Sequence, residues 1–219
     1  MTTFPNSPRL LKGGIVLLDA DTSAVQRVIA LQYNPDTLTR SLQVQGAGAD
    51  GGDHLEALRL KGPPIETLKL DVEIDAADQM EVADTNSTVS KVGIHPQLAA
   101  LEMIVYPPSS RIQAHKNLAL GGAIEIEPVL APLTLFVWSQ HRIIPVRITE
   151  FSITEEAFDP SLNPIRAKIS LGMRVLSYVD LGFDHRGSSL FTAYHQQKER
   201  LADKNQSVPL TTFGIREIP

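Results

Sequence analysis

Residues 164–178 read PIRAKISLGMRVLSY. Ile165, Ala167, Ile169, Leu171, Met173 and Val175 share one parity, and Arg166, Lys168, Ser170, Gly172 and Arg174 share the other. Side chains of a strand point alternately to opposite faces, so this period of two predicts a long, half-buried antiparallel strand. A helix would scatter the same cations around its circumference at about 100° per residue. A strand of this length with a basic outer row needs partner strands.

The preceding residues supply them. Within 142–153, Ile144, Val146 and Ile148 lie on one parity but Phe151 and Ile153 on the other, which predicts a β-bulge near Thr149-Glu150. Phe158-Asp159-Pro160-Ser161-Leu162-Asn163 then turns the chain into the opening stretch. Residues 133–138 are apolar on both parities, as a covered central strand requires. In 65–74, Leu68, Leu70, Val72 and Ile74 face one way and Lys69, Asp71 and Glu73 the other. Nearer the start, 14–20 and 26–33 flank Asp21-Thr22-Ser23-Ala24 as a hairpin, and 38–44 alternates as a third strand.

Elsewhere the period changes or vanishes. Ile94, Leu98, Leu101 and Val105 are spaced for one helical stripe, with Pro96 in the first turn and Pro107-Pro108 as the stop. The loop at 46–53 and the segments 75–93 and 109–131 show no period and read as loop and insertions. Residues 188–205 are weakly helical, with Leu190, Tyr194 and Leu201 on roughly one stripe. The division is a 1–12 extension, a 13–180 β-domain with insertions at 75–93 and 109–131, and a 181–219 tail.

Composition narrows the class. A chain of 219 residues with 42% apolar content can bury one good core, or one core with a small appendage. A net charge of −5 argues against non-specific nucleic-acid binding and gives no attraction to acidic membranes. With no cysteine, disulfides, thiolate metal sites and thiol nucleophiles are excluded, which suits a reducing cytoplasm. Residues 1–11 carry Pro5 and Pro8 without a continuous apolar run, which argues against a Sec-type signal peptide. No stretch approaches the roughly 20 apolar residues of a membrane span.

No catalytic signature competes with the scaffold. Asp19, Asp21 and Ser23 open like an EF-hand loop, but Ala24 and Ala30 replace its glycine and its bidentate glutamate. Asp50, Asp53 and His54 lack a further ligand at short spacing, and the six histidines form no ligand pair. His95, beside Pro96, reads as the start of a helix. Ser109-Ser110 and Ser188-Ser189 lie in polar segments without a nucleophile elbow. The adjacent Glu155 and Glu156 point apart on a strand and make no carboxylate pair. The basic row Arg166, Lys168 and Arg174 lacks interleaved aromatics, so pairing with Asp71, Glu73 or another subunit is the better reading.

The order of motifs resembles the contractile injection system tube protein family. Ala30-Leu31-Gln32-Tyr33-Asn34-Pro35 is similar to the family's start, and 68–74 to its central strand. Ile94-His95-Pro96-Gln97-Leu98 is similar to its helix, and Pro132 with 133–138 to its Pro-to-Trp strand. Phe158-Asp159-Pro160 followed by Asn163-Pro164-Ile165-Arg166-Ala167 resembles its most specific signature. The resemblance covers roughly 13–180. It departs in the longer, polar insertions and in a tail too short for the LysM module of many members.

The resemblance implies a mainly β fold: an antiparallel barrel or sandwich of the phage-tail-tube type, with one helix and a C-terminal extension. It implies a structural, non-enzymatic part of a phage-tail-like particle, a baseplate hub or tube initiator joining inner tube to spike through a subunit ring. The expected partners are further copies in a ring, hexameric by expectation, with inner tube, spike and other baseplate proteins. No cofactor, metal, nucleic acid or direct membrane insertion is expected. The place of action would be the bacterial cytoplasm during assembly and then the particle. The candidate assembly interface is Arg166, Lys168, Arg174, Leu190, Phe191, Tyr194 and Leu201. The alternative is a ligand-binding barrel or a hydrolase with dispersed site residues, its ligand near Phe136 and Trp138.

Overall fold

The computed structural model describes residues 11–19, 22–46, 58–77, 89–120 and 131–218. The opening stretch forms β7 (Pro164–Val175), with Ala167, Ile169, Leu171, Met173 and Val175 buried on one face as the alternation requires. It pairs antiparallel with β6 (Arg142–Phe158) on one side and β4 (Ile65–Asp75) on the other. The register of β6 shifts between Ile148 and Glu150, which places the bulge at the predicted change of parity. β6 runs five residues beyond the predicted end, because its pairing with β7 continues to Phe158.

β5 (Leu133–Ser139) lies between β6 and β1 (Gly14–Leu18), and Leu133, Thr134, Leu135 and Phe136 are all buried. β1 forms the predicted hairpin with β2 (Val25–Ala30), and β3 (Thr39–Gln43) pairs with β4. The result is one seven-stranded antiparallel sheet in the order β2-β1-β5-β6-β7-β4-β3. The sheet curls. Just beyond β2, Gln32 donates from Nε2 to Asp75 O at 2.5 Å and accepts at Oε1 from Asp75 N–H at 3.1 Å, tying that end to β4. Among the described residues, the outer sides of β2 and β3 have no ladder partner. The mainly β class holds, and among the described residues the sheet is not closed into a barrel by a strand ladder.

Among the described residues, five α-helical segments accompany the sheet: α1 (Val89–Val92), α2 (His95–Glu102), α3 (Ser109–Leu120), α4 (Tyr178–Leu181) and α5 (Arg186–Ala202). The expectation of one helix was too low. α2 seals the curled face with Ile94, Leu98 and Leu101. Its fourth predicted anchor, Val105, is exposed and Ile104 is buried instead. Beyond Glu102 the bonds tighten to Ile104 N–H→Leu101 O and Val105 N–H→Glu102 O, so the stripe rotates by about one residue. α3 falls in a segment expected to be an unpatterned insertion. None of its residues is buried, so it carries no apolar stripe, and only its Ala, Leu, Gln, Lys and Arg favour a helix. Within 75–93, only 75–77 and 89–93 are described, and 121–130 also lie outside the described residues.

Candidate assembly surface

The outer face of β7 was expected to offer its cations to acidic neighbours, and this chain provides those neighbours itself. Arg166 meets Asp75 at 2.6 Å and Glu73 at 3.5 Å, Lys168 meets Glu156 at 3.0 Å, and Arg174 meets Asp180 at 2.7 Å. Lys69 of β4 pairs with Glu150 across the face at 2.8 Å. The Ala77 N–H donated to Asp75 holds that carboxyl below its ordinary value, with Arg166 adding to the effect and burial opposing it. Asp75 in turn raises the Arg166 guanidinium. These cations are committed within the protomer, so the row is no free basic surface. Arg147 stands opposite Arg174 in the β6–β7 register, and Arg174 Nε is a buried donor without a partner among the described residues.

The tail residues divide in two. α5 starts where the His185 ring accepts the Gly187 N–H at 3.0 Å, and α4 starts on a capping box made by Ser177 and Asp180. Phe191 and Tyr194 are buried in the main core, and Leu190 packs on a smaller cluster of Leu18, Leu133 and Leu135. Leu201 is exposed. Phe191 and Tyr194 therefore face this chain's own sheet, because α5 folds onto it. That removes them from any outward surface.

Tyr194 also belongs to a polar latch that sequence reasoning missed. Glu66 on β4 is only 3% exposed and meets Arg40 of β3 at 2.8 Å and Lys198 of α5 at 3.4 Å. The Tyr194 hydroxyl donates to Glu66 Oε1 at 3.2 Å, and Lys198 Nζ lies 4.2 Å above the Tyr194 ring centre. Burial, then the nearby Glu66 carboxylate, raise the Tyr194 hydroxyl above its ordinary value, with Arg40 opposing. The latch ties β3, β4 and α5 together. Its signal in the sequence is the parity of Glu66, which shares the inward face of Leu68, Leu70 and Val72.

Apolar side chains also face outward at several places. β2 exposes five of its six residues, including Val25 and Val28. The β6–β7 turn presents Phe158 and Leu162, its geometry fixed by Asp159, whose carboxylate accepts the Ser161 and Asn163 N–H groups. Past α5, residues 203–218 are exposed throughout and include Val208, Leu210, Phe213, Ile215 and Ile218.

The Asp19 carboxylate accepts from Thr22 N–H, Thr22 Oγ1 and Gln26 Nε2, as in a hydrogen-bonded turn. Asp50, Asp53 and His54 lie outside the described residues. Among the described residues, no group of three or more His, Asp or Glu is placed to hold a metal ion, and no helix is long and apolar enough to cross a membrane. Trp138 stacks on Phe136 with ring centres 5.8 Å apart.

No protein-family model matches the chain, and no curated protein does. Among solved structures it is similar to a chain described as "Tail of empty GTA particle computed with helical refinement, C6 symmetry". The identity is 12%, the TM-score is 0.28, and the match covers 75% of this chain and 90% of that one. A TM-score that low transfers neither architecture nor contacts.

Proposed function

We propose that this chain is a structural subunit of a contractile injection system, a phage-tail-like particle, at the baseplate hub where inner tube meets spike. The observation that carries the reading is a single curled sheet whose terminal strands, β2 and β3, each have one side without a ladder partner among the described residues. β2 reads VQRVIA, without proline and with one charge, so it lacks most devices by which proteins protect a sheet edge. Two different edges on one subunit make a heterologous contact, and such contacts close into a ring when the rotation allows. The ordered resemblance to the tube family, from Asn34-Pro35 to the Phe158-Asp159-Pro160 turn, supplies the kind of ring. On this reading the chain assembles with copies of itself, tube and spike, acts within the particle, and catalyses no reaction.

Deleting the gene from a particle-producing strain tests the assignment. Spikes and tubes that form but fail to join are the expected result. Complete particles of normal composition would refute it.

A further inference from the structure

α5 is attached to the sheet by few apolar anchors and by a set of polar contacts. Of its 17 residues, Gly187, Ser188, Phe191 and Tyr194 are buried, and of these Phe191 and Tyr194 bring large side chains to the main core. Leu190 adds a part-buried contact to the cluster of Leu18, Leu133 and Leu135. Among the described residues, the polar ties run from Tyr194 and Lys198 to Glu66, from Arg40 to the Tyr194 hydroxyl at 3.2 Å, and from Gln197 to His141 at 3.0 Å.

Opening these ties strands no polar group. Glu66 keeps Arg40 at 2.8 Å and regains water at a carboxylate that is 3% exposed beneath Tyr194 and Lys198. Burying a charge costs desolvation, so the gain from docking Phe191 and Tyr194 is partly offset at Glu66. Tyr194, Lys198 and Gln197 would exchange protein partners for water, which is close to an even trade. No strand ladder includes α5, so the seven strands stay paired without it. Gly182, at φ +80° with open space around it, joins α4 to α5 and gives a pivot. We infer that α5 is a releasable strap: it leaves the sheet as one unit while the strands hold, uncovering Glu66 and the Leu18, Leu133 and Leu135 cluster.

Hydrogen exchange of the full-length chain tests this, because a released helix of this length is marginal in water and its amides open together. Amides 192–196, mid-helix, should exchange through one shared opening at least about tenfold more often than amides 169–173 of β7. A second chain carries His141→Cys and Gln197→Cys, the only thiols in the sequence, at positions whose side chains now touch. Before cross-linking it should exchange like wild type. Closing the two thiols with a short bis-maleimide should erase the difference between α5 and β7. Amides 192–196 that open as rarely as those of β7 in wild type would overturn the inference, since α5 would then leave only with the whole fold. A difference that survives the cross-link, or protection that rises steadily from the helix end inward, would show fraying in place and overturn it too.

Discussion

Replacing Arg40 by methionine should harm this protein more than removing the charge that Arg40 neutralises. Glu66 is 3% exposed, whereas Arg40 is 28% exposed and Lys198 35%. Arg40→Met leaves a buried carboxylate with only the longer Lys198 contact and the Tyr194 hydroxyl. The cost should approach about 3 kcal/mol, the lower end for breaking a buried pair, because those two partners remain. Glu66→Leu lets Lys198 turn to water and leaves the Tyr194 hydroxyl accepting from Arg40 at 3.2 Å, for about 1–1.5 kcal/mol. The double variant Arg40→Met/Glu66→Leu removes both charges together and strands the Tyr194 hydroxyl, so it should cost about 1–2 kcal/mol, well below the sum of the two single changes. Urea unfolding followed by the fluorescence of Trp138, the single tryptophan, reads all three. If the double variant loses as much as the two single variants summed, or Glu66→Leu is the worse single change, the latch is wrongly described.

Other changes probe the strand, the turns and the surface ion pairs. Met173→Asp places a carboxylate at a fully buried position and should cost several kcal/mol, whereas Arg174→Ser, one residue on, loses mainly the Asp180 contact at about 1 kcal/mol; equal urea midpoints would invalidate the facing of β7. Gly93 has φ +57°, and a Cβ there would press on the Pro164 carbonyl oxygen, so Gly93→Ala should cost at least about 2 kcal/mol, a loss that a midpoint within experimental error of wild type would disprove. The Asp75 carboxyl is depressed, so its stabilisation is whole above the ordinary carboxylate value and drains away as pH falls through the lowered one. Wild type should therefore exceed Asp75→Asn in stability at pH 7, and the gap should close below about pH 4; a constant gap would refute the assignment.

β4 and β7 were legible because each buries one face and exposes the other, so burial wrote itself into their parity. The β6 bulge was legible for the same reason, since a change of parity has few other causes. α3 was not, because a helix that buries nothing leaves no stripe to read. The end of α2 was missed where the backbone tightened, which periodicity cannot register. The candidate interface fared differently. Arg166, Lys168 and Arg174 read as a row needing acidic partners, with Asp71, Glu73 or another subunit as candidates; Glu73 does meet Arg166, but sequence does not show Asp75, Glu156 and Asp180 beside the row. Phe191 and Tyr194 have the spacing of anchors, but spacing alone does not tell whether an anchor serves its own sheet or another subunit. Leu201 remains exposed and Leu190 packs inward.

In the proposed ring, the sheet closes across subunits through the outer sides of β2 and β3, which have no ladder partner among the described residues. Negative-stain electron microscopy of the purified full-length chain, at concentrations rising to the high micromolar range, tests it most directly. Closed rings of a single subunit number are the predicted result, lost when Val25→Lys and Val28→Lys together place charge on the β2 edge. A dispersed monomer at every concentration, or rings indifferent to those two lysines, would contradict it.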